Sequence, residues 1–179
     1  MDIFQIHITL RNIEPPVWRR IEVPSDTKLG KLHRIIQAVM GWNDTHLHQF
    51  VAGLERYGIP DPEKPDDTKS ERNVPLARVA SKGDVLVYEY DFGDGWEHSI
   101  QIEQQLPAAT AVHYPRCTAG ARACPPEDCG GPPGYAHLIE VLRDSKHEEH
   151  EELRTWAGPD FDPEAFDLVA VNRALWRLK

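Results

Sequence analysis

Apolar and polar residues alternate from the first few positions onward. Phe4, Ile6, Ile8 and Leu10 interleave with Gln5, His7, Thr9 and Arg11, and a period of two places one set on the core face of a half-buried strand. After the turn residues Asn12-Ile13-Glu14-Pro15-Pro16, Val17, Ile21 and Val23 alternate with Trp18, Arg20 and Glu22, so the two runs predict a hairpin. The period then changes. Leu29, Leu32, Ile35, Ile36, Val39 and Met40 form one stripe at helical spacing, with Thr27 placed to cap its start and Gly41 to end it in a left-handed conformation. His33 lies beside this stripe and reads as a packing residue at its boundary.

His46 to Gly53 predicts a third strand. Residues 60–73 are polar and proline-rich with no period, which predicts an exposed, mobile loop, and Val74 to Ala80 predicts a short helical turn. Val85 to Phe92 is apolar on both faces, as a central strand would be. Beyond the Gly93-Asp94-Gly95 turn, His98, Ile100, Ile102 and Leu106 alternate with Ser99, Gln101, Glu103 and Gln105. That register puts His98 on the apolar side, at the end nearest the turn. Residues 107–134 carry no regular pattern. Tyr135, Leu138, Ile139 and Leu142 mark a helix, and Leu153 and Trp156 mark another that stops at Gly158-Pro159. Asp162-Pro163 is a start signal for a last helix with Leu168, Val171, Leu175 and Leu178 on one face.

These elements define an α+β chain of one domain, 1–179. A sheet-plus-helix core spans 1–106, an irregular Cys/Gly/Pro-rich loop spans 107–134, and a helical annex over 135–179 packs on the core. Hairpin, helix, strand, then two more strands is the order of a β-grasp-like α/β roll.

A chain of 179 residues buries a full core without disulfide staples. Its net charge of −9 disfavours nucleic acid, whose non-specific binding draws on Lys and Arg neutralising phosphates. The one local group of arginines, Arg11, Arg19 and Arg20, reads as the solvated face of the hairpin. No apolar run approaches the ~20 residues that span a bilayer. The first residues, Met1-Asp2-Ile3-Phe4-Gln5, carry neither the basic nor the apolar region of a secretory signal, so the expectation is a soluble, cytoplasmic protein. Three cysteines cannot all pair within one chain, and in the cytoplasm they would be buried, metal-bound or reactive thiols.

Chemistry concentrates in Tyr90–Tyr135. Cys117-x6-Cys124-x4-Cys129 offers three zinc ligands, the second pair at the upper end of the usual spacing, and a fourth would come from elsewhere, from His46, His48, His98 or His113, with His98 taken as the ligand. Reduced thiols packed in the loop, or a redox or nucleophilic cysteine, are the alternatives. If zinc binds there, its coordination energy orders a loop that has no core of its own. His46 and His48, two apart on one strand face, would converge with His98 and with Asp91 or Asp94 if the strands are neighbours, giving an N/O cluster suited to a metal with an open position. Trp96 beside the turn is either core or an exposed recognition aromatic, and Glu127 and Asp128 add carboxylates to the same loops. Asp91-Phe92-Gly93-Asp94-Gly95 lacks the third-position oxygen of an EF-hand. His147 and His150 are three apart, which is not the zincin spacing. Nucleotide, dinucleotide and serine-hydrolase signatures are absent.

Pro16-Val17-Trp18-Arg19-Arg20-Ile21, Met40-Gly41-Trp42 with His46-Leu47-His48-Gln49-Phe50, Tyr90 through His98, Cys124-Pro125-Pro126-Glu127-Asp128-Cys129-Gly130-Gly131 and Phe161-Asp162-Pro163-Glu164-Ala165-Phe166-Asp167 together resemble the plasmid pRiA4b ORF-3-like family over nearly the whole chain. The resemblance implies an α+β roll found near plasmid or insertion-element genes, and it carries no established catalytic residues. The functional expectation is a binding or regulatory module for a protein or small-molecule ligand, with zinc as its stabilising metal. The alternative is a metal-dependent hydrolase built on the His/Asp cluster.

Overall fold

The computed structural model describes residues 1–63 and 66–178. In chain order the elements are β1 (Asp2–Leu10), β2 (Trp18–Pro24), α1 (Leu29–Met40), β3 (His48–Ala52), β4 (Glu55–Gly58), β5 (Lys69–Ser70), α2 (Leu76–Val79), β6 (Val85–Tyr90), β7 (Trp96–Pro107), β8 (Arg116–Ala121), α3 (Gly131–Arg143), α4 (His150–Ala157) and α5 (Leu168–Trp176). The fold is α+β: the strands form one mixed sheet in the order β5-β4-β3-β6-β7-β1-β2-β8. β1 lies between β2 and β7 and is antiparallel to both. The parallel pair is β4–β5, at one edge. The expected hairpin and covering helix are therefore present, set in a larger sheet than the sequence pattern suggested.

The period-two residues Phe4, Ile6, Ile8 and Leu10 are all buried, and the stripe of α1 covers that face of the sheet. α1 has no side-chain cap and no acidic residue in its first turn, and it carries Gly30 and three β-branched residues. Its stability comes from burial. Six aliphatic side chains at roughly 1.5–3 kcal/mol each outweigh a missing cap worth about 1 kcal/mol. Gly41 ends the helix at φ 95°, as its position predicts.

Several elements depart from the pattern. Thr27 does not cap α1. It is buried, and its carbonyl accepts the Leu76 amide at 2.8 Å, tying α2 to the start of α1. The polar stretch 60–73 is not wholly exposed: β5 pairs with β4, and the next residue, Glu71, is buried. The expected irregular loop 107–134 contains β8, which extends the sheet beyond β2. Asp162-Pro163 makes only a turn, with Asp162 Oδ1 accepting the Glu164 amide. α5 begins later, where Asp167 Oδ1 accepts the amides of Val169 and Ala170. α5 lies against α1 and β8, and α4 against α3.

Arg19 is the clearest reversal. It is 3% exposed, and its guanidinium donates to the carbonyls of Trp18, Val39, Ala121 and Arg122 at 2.7–2.8 Å. A planar, five-donor head closes the gap between the end of α1 and β8, where unpaired carbonyls would be costly. Arg20 is held by Glu103 and Arg11 by Glu97, so the arginine group is largely consumed within the molecule. No helix among the described residues is long and apolar enough to cross a membrane.

Candidate metal centre

Three connections meet at the carboxyl end of β6. The α1–β3 connection brings His46, the β6–β7 turn brings Asp91, and the β8–α3 loop brings Glu127 and Asp128. Each is fixed locally. Asp91 has a left-handed backbone at φ 55°, and its Oδ1 accepts the amides of Gly93 and Asp94, which leaves Oδ2 free. Glu127 Oε1 accepts the Asn43 amide at 2.9 Å and the Tyr90 hydroxyl at 3.1 Å. Trp42 Nε1 donates to the Pro125 carbonyl at 3.0 Å, pinning the same loop. The turn and the loop touch through Gly130 and Gly131: Gly130 N donates to Asp94 Oδ2, and a Cβ on Gly131 would stand 2.3 Å from the Asp94 carbonyl oxygen. Only a glycine allows that approach, and the approach brings Asp91 beside Glu127 and Asp128.

His46 Nε2 faces this ring of acids. It is buried and makes no hydrogen bond, yet it lies 3.1 Å from Asp128 Oδ1, 3.7 Å from Asp91 Oδ2 and 3.8 Å from Glu127 Oε2. The donor atoms of His46, Asp91 and Asp128 all fall within 4.8 Å of one another. Two ligands bound about 2.1 Å from a shared ion sit about 3.0 Å apart at right angles and about 3.4 Å apart at the tetrahedral angle. The observed spacings match that range to within a few tenths of an ångström. Three carboxylates gathered on one imidazole nitrogen, with no Lys or Arg ion pair to any of them among the described residues, make a strongly cation-attracting point.

Donors hold two of these acids and leave the third open. Burial raises the Tyr90 hydroxyl pKa above its ordinary value, so it stays a proton donor to Glu127. Asp128 has a 71% exposed side chain and forms the solvent side. One imidazole and three carboxylate groups suit a hard or borderline divalent ion such as Zn²⁺, Mn²⁺ or Fe²⁺.

The remaining expected ligands lie elsewhere. His98 and Cys117 stand on β7 and β8, with β1 and β2 between them. Three strand spacings put them about 14 Å apart across the sheet, so they cannot share an ion. Cys117, Cys124 and Cys129 are free thiols, and with His98 they form no compact ligand group among the described residues. Cys117 Sγ donates to the Ala119 carbonyl instead. Burial pushes the Cys117 thiol up to about 11, that of Cys129 up to about 12, and Cys124 higher still. That is the behaviour of packed thiols rather than nucleophiles. His98 is fully buried, donates to the Tyr88 carbonyl through Nδ1–H, and has its pKa lowered to about 4 by burial. Trp96 is core, with no exposure. Asp94 Oδ2 accepts the Gly130 amide, and Asp94 stands outside the compact group of His46, Asp91 and Asp128.

His46 and His48 do not converge. His48 enters β3 and turns inward, where its ring stacks on His33 at 3.4 Å and 2° between planes. His48 Nε2 is paired with Glu71 at 3.0 Å, and His33 with Asp44 and the Tyr88 hydroxyl, both at 2.8 Å. Burial, followed by His48, lowers the His33 pKa. His33 was read as a packing residue at the boundary of the stripe and is in fact buried; the partners of this pair were not legible, because Glu71 and Asp44 come from irregular connections. The Tyr88 ring lies between this pair and His98, which keeps His98 apart from His48.

Fold and site together describe an α+β protein with a surface His/carboxylate centre. The chain matches, over residues 2–170, the family described as plasmid pRiA4b ORF-3-like protein, and it belongs to that family. It is 39% identical over 176 residues to uncharacterized protein y4hQ of Sinorhizobium fredii (strain NBRC 101917 / NGR234), covering 97% of this chain and 90% of that protein. The crystal structure of a protein of unknown function, MM3350 from Methanosarcina mazei Go1, superposes with a TM-score of 0.84 at 39% identity, over 94% of this chain and 96% of the other.

Proposed function

We propose that the protein is a metal-binding module whose working part is the divalent-cation centre of His46, Asp91, Glu127 and Asp128. The observation that carries the reading is the buried, unpartnered His46 Nε2 facing three carboxylates at 3.1–3.8 Å. An ion there satisfies the nitrogen and offsets most of the acids' charge at once. Zinc, which the cysteine spacing suggested, fits this set as well as manganese or iron does, and the open side at Asp128 leaves a position for a ligand from a small molecule or a protein segment. An association with plasmid or mobile-element genes, and a cytoplasmic setting for the three reduced thiols, belong to the same reading.

The test is metal uptake by the purified protein after dialysis against Zn²⁺ or Mn²⁺, read by elemental analysis and titration calorimetry. One equivalent per chain is expected, lost in His46→Ala and Asp91→Asn and retained in Cys129→Ser. Failure of the wild-type protein to take up metal, or undiminished uptake by His46→Ala and by Asp91→Asn, overturns the proposal. The exposed Asp128 favours one second reading, hydrolysis by a metal-activated water held in the open position. Metal-loaded protein that leaves activated ester and phosphodiester substrates uncleaved excludes it and leaves the binding module.

A further inference from the structure

We infer that the metal centre opens into a pocket for a planar ring, so that its ligand is an aromatic or heteroaromatic compound bearing a metal-binding oxygen group. This rests on the proposed centre. Asp128 lines both places: its carboxylate faces His46 on one side, and on the other it borders a cavity of about 280 Å³ with Cys129, His137, Leu138, Leu153 and Trp156. A cavity of roughly 150 Å³ already admits benzene, so a ring with a substituent fits.

The pocket is shaped by close packing at its base. A Cβ on Gly134 would stand 1.9 Å from the Cys129 carbonyl oxygen, so this glycine lets the 128–129 segment lie directly on the first turn of α3 and form one wall. Leu138 is buried and makes the floor. Trp156 follows Leu153 by three residues on α4, and i,i+3 spacing puts both on one helix face. Leu153 packs on the core, while the Trp156 indole remains 48% exposed above the cavity. An indole at the mouth of a pocket with a leucine floor stacks a flat ring. Glu152, which also borders the cavity, joins Asp128 in favouring ring N–H or amino donors there and in sending any acidic group of the ligand toward the metal.

The experiment compares two probes with the same metal-binding head, benzohydroxamate and acetohydroxamate, titrated calorimetrically into zinc-loaded protein. Benzohydroxamate is expected to bind about tenfold more tightly. Trp156→Ala should abolish that preference while keeping its zinc, and Trp156→Phe should retain most of it. Equal affinities in the wild-type protein, or a preference that survives Trp156→Ala, overturn the ring pocket and leave the metal centre standing. A wild-type protein that takes up no zinc overturns the centre and the pocket together.

Discussion

Gly131→Ala and Gly95→Ala form a matched pair. Both glycines have left-handed backbones, at φ +68° and +67°, but a Cβ at Gly131 meets the Asp94 carbonyl oxygen at 2.3 Å, whereas at Gly95 nothing lies within 4 Å. The conformational penalty, about 1 kcal/mol for alanine in the left-handed region, is common to both. At Gly131 the turn and the loop must also separate by about 1 Å to reach ordinary contact. That movement carries the Gly130 amide, now 3.2 Å from Asp94 Oδ2, out of hydrogen-bond range, at about 1 kcal/mol. The forced displacement of packed backbone adds about 1–3 kcal/mol. Gly131→Ala should therefore destabilise the protein by roughly 3–5 kcal/mol and Gly95→Ala by about 1 kcal/mol, a gap of roughly 5–15 °C in Tm for a chain of this size. Equilibrium urea unfolding measures both, with the slope checked for constancy. Gly131→Ala should in addition weaken metal uptake, because the movement draws Asp91 away from Glu127 and Asp128. Two variants within about 1 kcal/mol of each other would refute the close approach as the device that assembles the centre.

Other expectations address separate parts of the molecule. His98 has a folded pKa near 4 against about 6.5 when unfolded. The unfolded state therefore takes up the proton first: the stability is complete above about pH 6.5 and falls by about 3 kcal/mol as pH drops toward 4. Denaturant midpoints of wild-type and His98→Leu protein across that window should converge at low pH, and parallel curves would contradict the assignment. Arg19→Lys leaves at least one of the four carbonyls, two of them buried, unpaired and should cost roughly 2–4 kcal/mol, measured by urea unfolding; a neutral result would show that water replaces the guanidinium. Asp167→Ala removes the acceptor for two α5 amides and should cost about 1 kcal/mol. A loss below about 0.3 kcal/mol would mean that packing on α1 and β8 alone fixes the start of α5. Saturating zinc at about a hundred times its dissociation constant should raise stability by about 2.7 kcal/mol, an increase that chelator reverses and that His46→Ala lacks.

The residues divide according to how far their partners lie along the chain. Period-two and helical spacing located β1, β2, α1, β6 and β7 because their burial is set by alternation that any sheet or helix must obey. The same logic placed His98 inside and Gly41 at the end of α1. β4, β5 and β8 escaped notice: they lie at the two edges of the sheet, β5 and β8 outermost, with little apolar alternation, and their pairing is supplied by neighbours in the sheet. Asp162-Pro163 looked like a helix start because a cap and a proline suit that place, but they suit a turn equally well, and the true start at Asp167 is decided by where α5 can reach α1 and β8.

The candidate centre shows the same division more sharply. His46, Asp91, Glu127 and Asp128 were marked in the sequence as chemically capable residues, since composition alone reveals an imidazole and carboxylates in glycine-bent loops. Their grouping was only partly visible: His46 was set with Asp91 or Asp94, but also with His48 and His98, while Glu127 and Asp128 were noted only as carboxylates in the same loops. Pairing of residues distant in sequence depends on strand order, which no local pattern encodes: four strands in the sequence β7-β1-β2-β8 keep His98 from Cys117, and Tyr88 keeps it from His48. The sequence by itself determined which apolar residues of the periodic segments face inward and which chemistry the chain can offer. The tertiary structure alone decided which of them meet, because a contact made by three separate connections rests on one close backbone approach, at Gly130–Gly131 against Asp94, whose cost and benefit exist only once the sheet has formed.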